Sequence, residues 1–154
     1  MRLRAVICED EPPIRHFLSM VCARRGYEVF TFPDPGLCPL HFMHRCPCAP
    51  DTVCADLLLL DLHLPEGAAL DFVEALLDKG CVAPDVALVS GEWSPAAHAR
   101  AVRLGCRLFQ TPFEIPEFLG WLNTMEAQVD PRRVLLDWRE QGWQVEPPAP
   151  EQRL

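Results

Sequence analysis

Acidic side chains and one hydroxyl stand at the ends of three short apolar segments in this 154-residue chain. Glu9 and Asp10 follow the first segment, Asp61 follows a run of four leucines, and Ser90 follows a later segment. If these segments are parallel strands, their carboxyl ends share one sheet edge, with neighbouring strands about 4.8 Å apart. Three carboxylates that close together repel one another unless a cation lies among them. The pattern therefore predicts a site for a hard divalent cation with oxygen ligands, for which Mg²⁺ is the best candidate.

The elements that must position these groups alternate along the chain between apolar strands and amphipathic helices. We predict strands at residues 3–8, 27–32, 57–60, 86–89 and 107–110, and helices at residues 12–26, 68–79, 94–105 and 115–129. Such alternation implies parallel βαβ units with right-handed crossovers. The predicted fold class is therefore α/β, a doubly wound, parallel, five-stranded sheet with helices on both faces.

One region does not follow this alternation. A helix belongs between the second and third strands, but five prolines between residues 33 and 50 interrupt it. Only residues 37–45 have room for a turn or two of helix. We therefore predict a domain at residues 1–129 with an atypical Pro/Cys-rich insert at about 33–55.

The remaining residues, 130–154, form a C-terminal extension. Residues 130–143 are predicted to form a short helix, with Val134, Leu135 and Trp138 as its apolar positions. The proline-rich end, residues 146–154, is predicted to be disordered. We expect no further output domain, because too few residues follow the sheet.

Composition excludes several kinds of partner. The net charge of −8 argues against a nucleic-acid surface, because phosphate binding needs clustered Lys and Arg. No apolar run reaches the roughly twenty residues that span a bilayer, and acidic residues 9–11 cut short the only candidate signal segment. We therefore expect a cytoplasmic protein that binds neither membranes nor nucleic acid.

Four short motifs together resemble the receiver domain of two-component response regulators, across roughly residues 3–128. They are Glu9-Asp10-Glu11-Pro12, Asp56-Leu57-Leu58-Leu59-Leu60-Asp61, Ser90-Gly91 and Thr111-Pro112-Phe113. No single motif is decisive, but the four occur in the order and spacing of the family. The resemblance implies a flavodoxin-like (βα)5 fold with the strand order 2-1-3-4-5.

The resemblance also implies a role for each polar residue. Asp61 accepts a phosphoryl group from the phosphohistidine of a sensor histidine kinase or phosphotransfer protein, while Glu9 and Asp10 hold Mg²⁺ together with Asp61. Ser90 hydrogen-bonds a phosphoryl oxygen. Positioning and charge neutralisation carry most of such a transfer. We expect no enzymatic output, and signalling instead by contact with a downstream protein or with a second copy of the chain.

Two positions depart from the family pattern. The family's lysine before the Pro-Phe pair is Thr111 here, which is short and neutral where a lysine would supply a point charge. The family's aromatic switch position aligns with Leu108, unless neighbouring Phe109 takes that role. Both departures fall in the part of the site that would pass phosphorylation on to the protein surface, whereas the predicted metal ligands and acceptor are all present. They favour an alternative in which the chain is a degenerate receiver that binds partners independently of phosphorylation.

The cysteines suggest another alternative. Cys38, Cys46, Cys48 and Cys54, with two histidines between them, could form a zinc or iron site and make the chain a metal or redox sensor. Their spacing differs from standard zinc fingers, in which paired cysteines are two to four residues apart. Ordinary thiols in a reducing compartment are the competing interpretation.

Overall fold

A five-stranded parallel sheet organises the chain. The computed structural model describes residues 2–61, 67–81, 84–112 and 114–143. The strands are β1 (Leu3–Cys8), β2 (Tyr27–Phe32), β3 (Thr52–Val53), β4 (Leu57–Asp61), β5 (Asp85–Ser90), β6 (Arg107–Gln110) and β7 (Val134–Leu135). The large sheet has the order β2-β1-β4-β5-β6 and is parallel throughout. This confirms the predicted order 2-1-3-4-5, since the two-residue β3 lies outside this sheet.

Helices cover both faces of the sheet. They are α1 (Pro12–Arg24), α2 (Pro39–Phe42), α3 (Ala68–Asp78), α4 (Pro95–Arg103) and α5 (Ile115–Gln128). Proline begins or nearly begins four of them, because the first turn needs no donor from its backbone nitrogen. Ser94 caps α4 by accepting a hydrogen bond from the Ala97 N–H at 3.1 Å. Gly26, with φ +89°, allows the tight turn from α1 into β2.

The central strand β4 divides the core into two layers. Its four leucines are all at most 1% exposed, as expected for a strand that is covered on both faces. Leu57 and Leu59 pack with residues of α1 and α5, whereas Leu58 and Leu60 pack with residues of α3 and the insert. Successive side chains of a strand point to opposite faces, so this one run of leucines holds both helix layers to the sheet.

The insert between β2 and β4 has little regular structure, as its prolines predicted. It holds a 3₁₀ turn at Pro35–Leu37 and the single turn of α2. Because α2 is so short, other residues must cover the sheet beside it. Phe30 of β2 is nevertheless only 7% exposed.

The C-terminal extension supplies that cover, and the predicted short helix at residues 130–143 is wrong. In place of a helix, β7 pairs in parallel with β3. The N–H of Val134 donates to the carbonyl of Asp51 at 2.7 Å, and that of Leu136 donates to the carbonyl of Val53 at 2.8 Å. The insert therefore offers backbone partners that a helix would have left unused. The end predicted to be disordered, residues 146–154, lies outside the described residues.

Two buried contacts fix the extension to the sheet. The Arg133 guanidinium donates to Asp56, just before β4, with Nε 2.6 Å from Oδ1. The Trp138 ring stacks on Phe30 with centroids 4.6 Å apart, and Arg4 lies 5.4 Å from the same indole. Residues 130–143 of the extension are thus part of the folded unit and pack at the amino ends of the strands. No helix in the described ranges is long and apolar enough to cross a membrane.

Candidate functional site

Three carboxylates converge at the carboxyl ends of β1 and β4. These strands are neighbours, with Cys8 opposite Leu60, so Glu9, Asp10 and Asp61 reach the same edge of the sheet. One carboxylate oxygen from each of the three lies within 4.8 Å of the others. Glu9 and Asp61 are buried, while Asp10 is exposed. The structure therefore brings together the three residues that the sequence pattern selected, with one side open to solvent.

Backbone hydrogen bonds hold Glu9 in place. Its N–H donates to the carbonyl of Phe32 at 3.0 Å, which continues the β1–β2 ladder by one residue. The N–H of Glu11 donates to the Glu9 carboxylate at 3.1 Å, and Arg15 donates to the Glu9 carbonyl at 2.8 Å. The carboxylate therefore points into the cluster from a fixed backbone.

The cluster is electrostatically strained without a cation. The pKa of Glu9 is raised to about 9, first because burial disfavours the charged form and then because its side chain hydrogen-bonds Asp61. At neutral pH the buried pair of Glu9 and Asp61 therefore favours keeping one proton between its two carboxyl groups. A hard divalent cation accepts this donor set of carboxylate oxygens and would replace that proton as the counter-charge. The residues present thus fit Mg²⁺.

Ser90 lies at the end of the neighbouring strand. β5 pairs with β4 so that Asp61 is opposite Val89, which leaves Ser90 one residue beyond the acidic cluster. Its side chain is 1% exposed. The hydroxyl donates to the carbonyl of Glu92 at 2.7 Å and accepts from the Glu92 N–H at 3.2 Å. To donate to a group on Asp61, this hydroxyl must release the Glu92 carbonyl, so it has two competing partners.

Thr111 follows β6 on the far side of Ser90. Its N–H donates to the Ser90 carbonyl at 2.8 Å, and its peptide bond to Pro112 is cis. The two strands place Thr111 next to Ser90 at the same edge of the sheet. Thr111, which was predicted to occupy the position of the family's lysine, therefore lies beside Ser90 at the carboxyl edge of the sheet.

The aromatic residue beside Leu108 belongs to the core. Phe109 is 1% exposed and meets Phe118 and Trp121 of α5 edge to face, with ring centroids 5.5 and 5.7 Å apart. A ring enclosed in this way fixes α5 against β6. Leu108, on the opposite face of the strand, is half-buried against the α3–α4 layer.

The cysteines group differently from the sequence prediction. Cys38 lies beside Cys8 at the end of β1 and raises the pKa of that thiol. Cys54 instead lies against Cys81, which follows α3, with the two sulfur atoms 3.5 Å apart. Cys48 interacts with both of these thiols, and Cys46 interacts with Cys54 and Cys48. Sequence reasoning missed Cys81 because it lies 27 residues beyond Cys54. The one sequence feature that could have placed Cys81 near the other thiols is its position after a predicted helix, where the chain returns to the amino ends of the strands.

Comparisons with known proteins agree with this architecture. No protein-family model matches the chain. A probable transcriptional regulatory protein of Picosynechococcus sp. is 29% identical over 120 residues, which cover 77% of this chain and 47% of that protein. The phosphate regulon transcriptional regulatory protein PhoB of Klebsiella pneumoniae is 25% identical over 150 residues, which cover 96% of this chain and 62% of PhoB. The chain thus spans about half to three fifths of these relatives' lengths.

Solved structures of receiver domains share the fold of this chain. The receiver domain of HemR from Leptospira biflexa superposes with a TM-score of 0.67 at 24% identity, over 84% of this chain and 98% of that domain. The chemotaxis protein CheY4 of Vibrio cholerae superposes with a TM-score of 0.62 at 19% identity, over 81% of this chain and 99% of CheY4. The chain therefore has the fold of response-regulator receiver domains, and the curated relatives that it resembles in sequence are transcriptional regulatory proteins.

Proposed function

We propose that this receiver accepts a phosphoryl group on Asp61 in a reaction that depends on Mg²⁺. The single observation that carries the proposal is the convergence of Glu9, Asp10 and Asp61 at the carboxyl edge of β1 and β4. A structural role alone would favour apolar residues or paired charges at these positions, because buried like charges cost stability. Two buried carboxylates that share an edge are instead suited to a bound cation.

The transfer exchanges one bond to phosphorus for another. A carboxylate oxygen of Asp61 forms a bond to phosphorus as the P–N bond to the donor imidazole breaks. The electron pair of that bond remains on the imidazole nitrogen, which takes up a proton from solvent. Mg²⁺ held by Glu9, Asp10 and Asp61 would neutralise the charge of the phosphoryl oxygens.

Neighbouring residues of this chain then respond to the new group. The Ser90 hydroxyl exchanges the Glu92 carbonyl for a phosphoryl oxygen, which is a stronger, charge-assisted acceptor. This exchange frees the turn after β5 and alters the start of α4. Thr111 supplies a hydroxyl where the family has an ammonium, so the stabilisation of a phosphorylated Asp61 is weaker and depends more on Ser90.

The proposed partners follow from this chemistry. The phosphoryl donor is a sensor histidine kinase or a phosphotransfer protein, and the output is contact with a downstream protein or a second copy of the chain through the surface near α4 and α5. Val102 of α4 and Ile115 of α5 are exposed apolar residues there. A cytoplasmic location and the absence of an enzymatic output belong to the same proposal.

A beryllofluoride titration tests the proposal, because this anion imitates a phosphoryl group on a carboxylate. Binding should require Mg²⁺. It should change the intrinsic tryptophan fluorescence, to which Trp93, three residues beyond Ser90, contributes. Asp61→Asn should abolish the response, whereas Asp71→Asn, at an exposed position of α3, should retain it. A response that survives in Asp61→Asn would refute the assignment of the acceptor.

A degenerate receiver is the second candidate, and Thr111 is the observation that favours it. Without a lysine at that position, the link between phosphorylation and a change of surface is weakened. In this case partner binding is equal for the wild type and Asp61→Asn, with or without Mg²⁺ and beryllofluoride. A partner whose affinity rises when beryllofluoride binds would exclude this candidate.

A further inference from the structure

Four cysteines lie near one another at the amino ends of the strands, on the opposite edge of the sheet from Asp61. Cys54 immediately precedes β4, and Cys81 follows α3. Their sulfur atoms are 3.5 Å apart, and both residues are at most 2% exposed. Cys46 and Cys48, from the Pro/Cys-rich insert, pack against the same part of the core as Cys54 and Cys81. Both thiols interact electrostatically with Cys54, and Cys48 also interacts with Cys81. The group therefore joins three separate parts of the chain.

The backbone of each part is anchored before any ligand binds. The N–H of Cys46 donates to the carbonyl of Lys79 at 2.9 Å, at the end of α3. The carbonyl of Cys54 accepts from Trp138 Nε1 at 3.0 Å and from Arg4 at 3.2 Å. These bonds fix the backbone from which the thiols of Cys46 and Cys54 project. Cys46 and Cys48 are half-buried, so an ion can reach the group from solvent.

The donor set determines the kind of ion. Four thiolates around one centre suit zinc, which binds sulfur at about 2.3 Å and tetrahedrally, so that its sulfur ligands lie about 3.8 Å apart. The separation of 3.5 Å between Cys54 and Cys81 is close to that value. In the described part of the chain, no three of these sulfur atoms lie within 4.8 Å of one another, a condition that Glu9, Asp10 and Asp61 do meet. The thiols must therefore move closer together to surround one ion.

The location also explains what such an ion would do. The insert contains only one turn of α-helix and a two-residue strand, so it has few regular hydrogen bonds of its own. Short segments of this kind are commonly stabilised by a structural metal. An ion at this point would fix the insert to β4 and to the end of α3. The half-buried Cys46 and Cys48 can close the site by rotation about their Cα–Cβ bonds.

We propose that Cys46, Cys48, Cys54 and Cys81 bind one Zn²⁺ as a structural centre that fastens the insert to the sheet. Binding replaces the four thiol protons, which pass to solvent, and changes no oxidation state. Cys81 takes the place that the sequence pattern gave to Cys38. The centre is separate from the acidic site and does not depend on the proposed phosphoryl chemistry.

Metal analysis of the full chain, purified without chelator, tests this inference. We expect about one zinc per chain in the wild type, and its release when an organomercurial modifies the thiols. Cobalt added to the metal-depleted protein should give sulfur-to-metal charge-transfer absorption. Cys81→Ser should reduce zinc binding at least tenfold, whereas Cys38→Ser and Cys106→Ser, two other buried cysteines, should retain it.

The wild-type measurements do not depend on whether a variant folds. Zinc absent from the purified wild type, together with no charge-transfer band on adding cobalt, would overturn the inference. Iron in place of zinc would overturn the choice of metal. Zinc that is kept by Cys81→Ser and lost from Cys38→Ser would return the site to the set predicted from sequence.

Discussion

Replacing Trp138 with alanine tests whether the C-terminal extension is part of the folded domain. The side chain is 3% exposed, stacks on Phe30 at 4.6 Å, and donates to the carbonyl of Cys54 at 3.0 Å. Truncating a buried tryptophan costs about 3–5 kcal/mol, of which the hydrogen bond contributes about 1 kcal/mol. The Cys54 carbonyl keeps Arg4 as a donor, so no acceptor is orphaned. We expect the free energy of unfolding to fall by about 4 kcal/mol, a large part of the roughly 5–15 kcal/mol of an ordinary domain.

Urea unfolding followed by circular dichroism measures this loss, and two variants separate its causes. Trp138→Phe keeps an aromatic ring on Phe30 but removes the N–H and part of the buried indole, so it should cost about 2 kcal/mol, less than alanine. Val134→Ala, in the same extension but 57% exposed, should change stability by about 0.5 kcal/mol or less. A loss below about 1 kcal/mol for Trp138→Ala would show that the extension does not cover the sheet.

Two further substitutions test the edges of the sheet. Arg133→Ala leaves the buried Asp56 without its bidentate partner and should cost about 3–5 kcal/mol in urea unfolding, whereas Arg132→Ala, whose side chain is 91% exposed, should cost almost nothing. Equal effects of the two would contradict the buried ion pair. Thr111→Lys restores an ammonium near Asp61 and should tighten beryllofluoride binding about tenfold in calorimetry, since a charge-assisted hydrogen bond contributes about 1.5 kcal/mol or more. An unchanged affinity would mean that position 111 does not face the acceptor.

The parts of the structure that depend on local pattern could be predicted from the sequence. The run Leu57–Leu60 is apolar throughout because β4 is covered on both faces, and that pattern needs no knowledge of the rest of the chain. Once parallel strands are predicted, their carboxyl ends must share an edge. Glu9, Asp10 and Asp61 were therefore predicted to meet, and the structure brings them together.

The parts that depend on distant partners could not be predicted. Val134 and Leu135 have an apolar pattern that suits a helix as well as a strand, and their conformation is decided by the carbonyls of Asp51 and Val53. Cys81 has no signal beyond its place after a predicted helix, because its thiol partners lie at least 27 residues away along the chain. Both features arise where the short insert leaves part of the sheet to be covered by other residues.

Mg²⁺-dependent phosphorylation by acetyl phosphate is the most direct test of the proposed function. Intact-mass measurement should show one added phosphoryl group on the wild type, lost when Mg²⁺ is chelated. Asp61→Asn should add none, and Glu9→Gln should add it much more slowly, because one carboxylate ligand is removed. Phosphorylation that continues in Asp61→Asn, or that is indifferent to Mg²⁺, would contradict the assignment of this acidic cluster as the phosphoryl acceptor site.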